Sequence, residues 1–162
     1  MKLLLLLFPL CVLLTSCSED PSKLEAKLNA STWNLAKLTV DGKNVDLSAS
    51  PLEDRTLQFF GGRAAGSVGL NSFQITFKIK DPDSLSPTQD GGGMTEMAGP
   101  PEIMELENTC LAALWNVRKA EITGETLTLS GKGVEFIFQG MPAPPIAPGN
   151  PEDTVTNTNP EE

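Results

Sequence analysis

The segment Phe73-Gln-Ile-Thr-Phe-Lys-Ile-Lys, ending at Lys80, constrains the fold of this chain more than any other. Its strict alternation sets Phe73, Ile75, Phe77 and Ile79 on one face and polar side chains on the other. That period of two marks a strand with one face on a core and the other in water. Such a strand belongs in an antiparallel sheet, because parallel strands are buried on both faces and read as unbroken apolar runs.

The sequence around it supplies partners. Trp33, Leu35, Leu38 and Val40 mark a first strand whose apolar parity shifts between 35 and 38, which predicts a bulge or break there. Asp41-Gly42 follows as a turn. Arg55 to Phe60 reads as a second strand closed by Gly61-Gly62, and the stretch to Gly69 is small and flexible enough to pass close to neighbouring backbone. After Lys80, Asp81-Pro82-Asp83 ends the alternation, and the polar stretch through Gly91-Gly92-Gly93 reads as a loop with one short strand around Ser84 to Ser86. Pro100 and Pro101 open the single convincing helix, over about residues 100–117. Ile103, Leu106, Cys110, Leu111, Leu114 and Val117 fall at spacings of three and four, with Glu102 and Glu105 near the amino end and Arg118 and Lys119 near the carboxyl end. Thr126 to Ser130 and Val134 to Phe138 flank Gly131-Lys132-Gly133 as a closing hairpin. The fold class expected is α+β and β-rich: a compact antiparallel sheet or partial barrel with one helix packed across it.

The two ends of the chain read differently from this body. Met1-Lys2 and the apolar run Leu3 to Leu14 form a leader too short to span a bilayer. Directly after it, Leu14-Thr15-Ser16-Cys17 resembles the bacterial lipobox, so residues 1–16 read as a lipoprotein signal peptide that is removed and Cys17 as the site of acylation. Each buried methylene contributes about 0.8 kcal/mol, so two or three acyl chains hold firmly where one is marginal. Residues 17–30 read as a mostly polar tether in which Leu24 and Leu28 could form one short turn. The body covers residues 31–139. Residues 140–162 carry six prolines, four acidic residues and almost no large apolar side chains. Such a Pro-rich acidic tail cannot offset the entropy of ordering and is expected to be disordered. Ser18, rather than Asp, after the acylated cysteine resembles the signature of outer-membrane lipoproteins. The expected location is therefore the cell envelope, and in a two-membrane cell the outer membrane, facing the periplasm or the surface.

Composition removes several classes of function. Net charge is -9 with a pI near 4.5, of which -5 lies in residues 31–139 and -4 in the tail, which argues against a nucleic-acid binder because phosphate neutralisation needs a basic face. An acidic surface does not seek anionic lipid headgroups either. The chain has no histidine, which takes away the commonest general base, metal ligand and pH switch. Of three cysteines, Cys11 lies in the leader and Cys17 at the cut. Cys110 is left alone in the body, without a partner for a disulfide.

Three features in order give the body a resemblance: Trp33-x-Leu35, Gly69-x-Asn71-x-Phe73 leading into the alternating strand, and Thr95-x-Met97-Ala98 running into a helix with Leu111 and Leu114. Together with the closing hairpin they resemble META/HslJ-like domains over residues 31–139. That resemblance implies an envelope or secreted protein linked to stress tolerance, antibiotic resistance or virulence, with no established catalytic site. The family pattern often has cysteine where this chain has Leu70 and Gly99; if those cysteines pair, their joint absence avoids a lone exposed thiol.

Individual residues then sort by their surroundings. Cys110 sits on the apolar helix face with no histidine to activate it and reads as a packed core thiol. Gly61 to Gly69 lacks the Gly-Lys-Ser/Thr ending of a phosphate loop. Asn71 reads as holding a tight approach to the strand through side-chain hydrogen bonds, and Asp81 and Asp83 as a turn rather than a calcium site. Thr95, Glu96, Met97, Pro100 and Pro101 form a loop with no evident core duty, and with Trp115 they make the candidate interaction surface. No catalytic residue, metal or cofactor is called for. The leading expectation is a non-enzymatic envelope lipoprotein, held to the membrane through acyl chains on Cys17, with another envelope protein as candidate partner. The alternatives are a small-ligand carrier with a cavity opening near Thr95 to Pro101, and a protease inhibitor or hydrolase.

Overall fold

The computed structural model describes residues 20–142. The segment read as a signal peptide, Cys17 and the tail beyond Pro142 lie outside the described residues. Within them, helix α1 (Pro21–Asn29) precedes strands β1 (Ser31–Val40), β2 (Lys43–Asn44), β3 (Arg55–Phe60), β4 (Arg63–Val68), β5 (Ser72–Ile79) and β6 (Leu85–Met94). Helix α2 (Pro101–Leu114) follows, then β7 (Val117–Thr123), β8 (Thr126–Gly131) and β9 (Val134–Pro142). The strands form one antiparallel sheet in the order β6-β5-β4-β3-β1-β9-β8-β7, with β2 paired to β1. The sheet curls until its edges meet. Ser84 bridges Lys119, Ala120 N donates to Asp83 O at 2.9 Å, and Lys119 Nζ lies 2.7 Å from Asp83 Oδ2.

The expected partial barrel is present, and the parity shift in β1 is a register shift between Leu35 and Lys37 against β9. Phe73, Ile75 and Phe77 are buried as alternation requires, with Phe77 packed on Phe59 at a centroid distance of 5.8 Å. The close approach expected between residues 61 and 69 occurs at Gly66, where a Cβ would collide with the Thr56 carbonyl of β3.

Four expectations are corrected. There are two helices among the described residues, because part of the supposed tether folds as α1. Asp20 caps it by accepting from Ser22 N at 3.0 Å, Pro21 fits the first turn, and Leu24 and Leu28 are buried. The strong sheet former β5 recruits the polar stretch 85–94 as a ten-residue strand, overriding its three glycines. Helix α2 ends at Leu114 rather than near 117. Val117 continues the helical spacing in sequence but begins β7, and Arg118 and Lys119 are strand residues. Finally, β9 pairs through Pro142 opposite Ser31, so the domain runs three residues into the segment assigned to the tail.

Antiparallel register puts Ser31, Phe60, Arg63, Ile79 and Pro142 at one end of the barrel and Val40, Arg55, Val68, Ser72 and Met94 at the other. Helix α1 closes the first end. It packs on β3 and faces Pro82, Asp83 and Ala120 to Ile122, and its Leu28 carbonyl accepts from Trp33 Nε1 at 2.9 Å. Helix α2 closes the second end with Leu106, Cys110, Ala113 and Leu114. Between them Trp33, Leu35, Leu38, Leu57, Leu127, Leu129 and Phe136 fill the interior.

Candidate functional site: the loop held by Asn71 and Glu107

The loop before α2 is fixed from beneath by two buried polar residues. Glu107 lies on the inward face of α2 and is 4% exposed, while Asn71, in the turn between β4 and β5, is 3% exposed. Glu107 Oε1 accepts from Asn71 N at 2.6 Å and Oε2 from Asn71 Nδ2 at 2.8 Å. The other Asn71 amide hydrogen goes to the Met97 carbonyl at 3.1 Å, and Asn71 Oδ1 accepts from Met97 N at 2.8 Å and Thr95 Oγ1 at 2.9 Å. Thr95 also pairs with Ser72, accepting from its backbone N at 3.0 Å and donating its own backbone N to the Ser72 carbonyl at 3.0 Å. Asn71 thereby fills both donors and both acceptor positions of its amide. A network in which each member is satisfied rigidifies what it touches, here the segment Thr95 to Met97.

That segment presents its other side to solvent. Glu96 is exposed, and Met97 is 49% exposed. Pro100 caps α2, its carbonyl accepting from Ile103 N and Met104 N at 3.1 Å, and Pro101 takes the first helical position. Both prolines are exposed. Beside them an open groove of about 630 Å³ runs between α2 and the loop Val45 to Ala49, with Glu102, Glu105 and Asp46 on its walls. Arg55 Nη1 ties that loop to the sheet by donating to the Leu47 carbonyl at 3.4 Å.

Trp115 is not brought against Thr95 to Pro101. It caps the far end of α2, roughly 20 Å along the axis from Pro101 at 1.5 Å per residue. There it lines a second groove of about 490 Å³ with Phe73, Ile75, Leu111 and Met94. Met94, next to Thr95 in the chain, joins the two halves of the surface. Leu52, Leu70, Met94, Met97 and Trp115 are all exposed at or beside this end of the barrel.

Sequence reading found the loop and the role of Asn71 but passed over Glu107 and Met94. Glu107 had left a signal. It stands four residues after Ile103 and three before Cys110, a carboxylate in the phase of the apolar stripe. Met94 gave none, because the strand that carries it was itself read as a loop.

Cys110 is fully buried, and burial pushes its thiol up to about 12, with Glu107 adding to the rise and Arg55 opposing it. It holds no thiolate at neutral pH. The two positions noted for family cysteines face each other: a Cβ placed on Gly99 would lie 4.0 Å from Leu70 Cβ and 2.8 Å from Leu70 Cδ2. The leucine side chain occupies the space that a Gly99 side chain would need.

Comparison with known proteins agrees with this architecture. A solved NMR structure of a protein from Burkholderia xenovorans is 20% identical, with a TM-score of 0.56 over 85% of this chain and 99% of that one. A second NMR structure is 24% identical, with a TM-score of 0.51 over 71% and 92%. The crystal structure of a duf4847 family protein from Bacteroides vulgatus is 14% identical, with a TM-score of 0.52 over 72% and 96%. At these identities the likeness is one of fold. No curated protein matches the sequence. The model of the META domain matches residues 26–142, which takes in α2, the loop before it and every strand, and the chain therefore belongs to the META domain family.

Proposed function

We propose that this protein is a lipid-anchored, non-enzymatic component of the bacterial cell envelope whose α2 end binds another envelope protein. The observation that carries this reading is the company kept by the loop Thr95 to Pro101. A buried network holds it in one conformation, and exposed Met94, Met97 and Leu70 surround it. A preorganised loop with apolar side chains turned outward loses little entropy on binding a partner. Trp115 adds the kind of large, stiff side chain that anchors interfaces.

Two further points support the reading over its rivals. The void beside Cys110, Phe136 and Phe138 inside the barrel measures about 10 Å³, and both ends are plugged, which suits a packed scaffold better than an enclosed carrier. Catalysis by Cys110 would need a thiolate, and its protonated, buried thiol does not supply one. The lipobox-like Leu14-Thr15-Ser16-Cys17 supports attachment to a membrane, and a role in stress tolerance is what the resemblance to META/HslJ-like domains implies.

The test is photocrosslinking in cells. A crosslinker is placed in turn at positions 97 and 115, and at position 37 on the outer face of β1 as a control. Capture of one specific protein from positions 97 and 115 alone, lost on Glu107→Ala, is the expected result. Equal capture from position 37, or none from 97 and 115, removes the interaction reading. Mass analysis of the mature amino terminus tests the anchor separately: an acylated Cys17 is expected, and an unmodified one removes it.

A further inference from the structure

The barrel end closed by α1 carries a feature at odds with the acidic balance of the chain. Phe60 is the last residue of β3 and is 44% exposed. Its cross-strand partner is Arg63, which in turn stands opposite Thr76 of β5. Two residues beyond Thr76 on the same outer face of β5 comes Lys78, and Lys80 follows directly after the strand ends at Ile79. Arg63, Lys78 and Lys80 are all exposed, so three cations and one aromatic ring gather on the outside of β3, β4 and β5 at the end closed by α1. Asp81 borders the patch at the end of the strand. On a chain of net charge -9 this is a local reversal of sign.

Its position gives the reversal a use. The chain leaves Lys80 through Asp81 to Asp83, and the start of α1, at Asp20 and Lys23, faces Pro82 and Asp83. Cys17 lies three residues before Asp20. Three residues span at most roughly 10 Å, so acyl chains on Cys17 would enter the bilayer beside this end of the barrel and nowhere else on it. A basic patch with an exposed aromatic, held that close to a membrane, has the composition of an interfacial contact.

We infer that the face formed by Phe60, Arg63, Lys78 and Lys80 is a second membrane contact, lying on anionic phospholipid headgroups while the opposite, α2 end points away. The inference rests on the lipid-anchor reading above. It replaces the expectation that an acidic chain has nothing to offer anionic headgroups: the net charge repels them, and this one face does not. It also fixes an orientation, because a domain pinned by its anchor and by this patch presents Met97 and Trp115 to the aqueous side.

The experiment uses the acylated, full mature chain in vesicles of phosphatidylethanolamine and phosphatidylglycerol with brominated acyl chains. Phe60→Trp supplies the reporter. Trp33 is buried and Trp115 lies at the other end, so both serve as internal references. Bromine quenching of the position-60 reporter is expected, without quenching at Trp115. Each basic residue near an anionic surface changes binding about fivefold, so Arg63→Gln, Lys78→Gln and Lys80→Gln together should abolish the quenching. So should vesicles without the anionic lipid. An acylated chain that sediments with the vesicles but shows no quenching at position 60 overturns this inference and leaves the anchor standing. Quenching that survives the triple substitution and neutral lipid overturns it as well. A chain with no acyl mass that stays in solution overturns both.

Discussion

The two ends of the barrel are closed by helices of different chemistry. At one end, α1 is a nine-residue plug whose Leu24 and Leu28 enter the barrel, and its polar contact with the interior is the Leu28 carbonyl accepting from Trp33. At the other, α2 adds to its apolar contacts a buried carboxylate that holds an asparagine and, through it, a loop. Apolar contact is not directional and tolerates small shifts of the helix. A buried bidentate pair does not, because a shift strands its donors. The difference teaches what each end is for: the α1 end needs only to be shut, whereas the α2 end keeps a particular backbone in place.

Leu28→Ala is the harshest test of the plug. Leu28 is 1% exposed, and truncating such a leucine costs about 2–5 kcal/mol through lost burial and the cavity left behind. A fall of that size in a urea titration is expected, with amide exchange in Thr95 to Met97 still protected at denaturant levels below the transition. If those amides lose protection before global unfolding, the two ends are coupled and the comparison breaks.

Glu107→Ala addresses the other end. It leaves Asn71 N and Nδ2 buried without their acceptor, at about 1–3 kcal/mol each where neither regains water. The expected outcome is a loss of about 2–4 kcal/mol together with rapid amide exchange at Thr95 and Met97, a local signature that Leu28→Ala lacks. Glu107→Gln should recover part of the stability, since one amide oxygen can still accept.

The facing positions Leu70 and Gly99 offer a way to hold the loop by a different bond. A Cβ separation of 4.0 Å lies within the range that disulfides span. The double variant Leu70→Cys, Gly99→Cys should therefore oxidise spontaneously and add about 2–3 kcal/mol by closing the chain between the turn and the loop. Combined with Glu107→Ala, it should restore protection at Met97. Failure of the disulfide to form would mean that the loop rests elsewhere than Asn71 and Glu107 place it.

How much of this was readable in advance follows the same divide. The strand from Phe73 was legible because one face is buried and the other wet, so its sequence had to alternate, and the bulge in β1 was legible as a break in that parity. Helix α2 was legible from its stripe, but its end was not, since Val117 satisfies helical spacing and strand burial equally. The strand from Leu85 to Met94 was hidden because pairing with β5, not its own Pro87 and three glycines, makes it a strand. Helix α1 was hidden by brevity: two leucines four apart carry little signal until a barrel mouth receives them. At the candidate site Asn71 was readable from its turn chemistry. Glu107 stands in the phase of the apolar stripe, which marks its side of the helix, but nothing in the helix itself shows that a buried amide waits opposite it.

The seam where the barrel edges meet supplies the smallest effect and the sharpest contrast with Glu107. Lys119 and Asp83 approach to 2.7 Å but remain 63% and 55% exposed. The hydrogen bond from Lys119 holds the Asp83 carboxyl below its ordinary 3.8, and the same bond holds the Lys119 ammonium above its ordinary 10.5. A lowered carboxyl contributes stability that is present above 3.8 and lost as pH falls through its folded value. A raised ammonium contributes stability that is present below 10.5 and lost as pH rises through its folded value. The pair is therefore complete between those limits and gives no pH dependence from 5 to 9. Water and salt screen so exposed a pair, and Asp83→Asn should leave the urea midpoint almost unmoved at 0.15 M salt. The backbone bond from Ala120 N to the Asp83 carbonyl survives that substitution and keeps the edges together. A large loss on Asp83→Asn would mean that the ion pair, not the backbone, closes the barrel; the seam would then rank beside Glu107 as a polar lock.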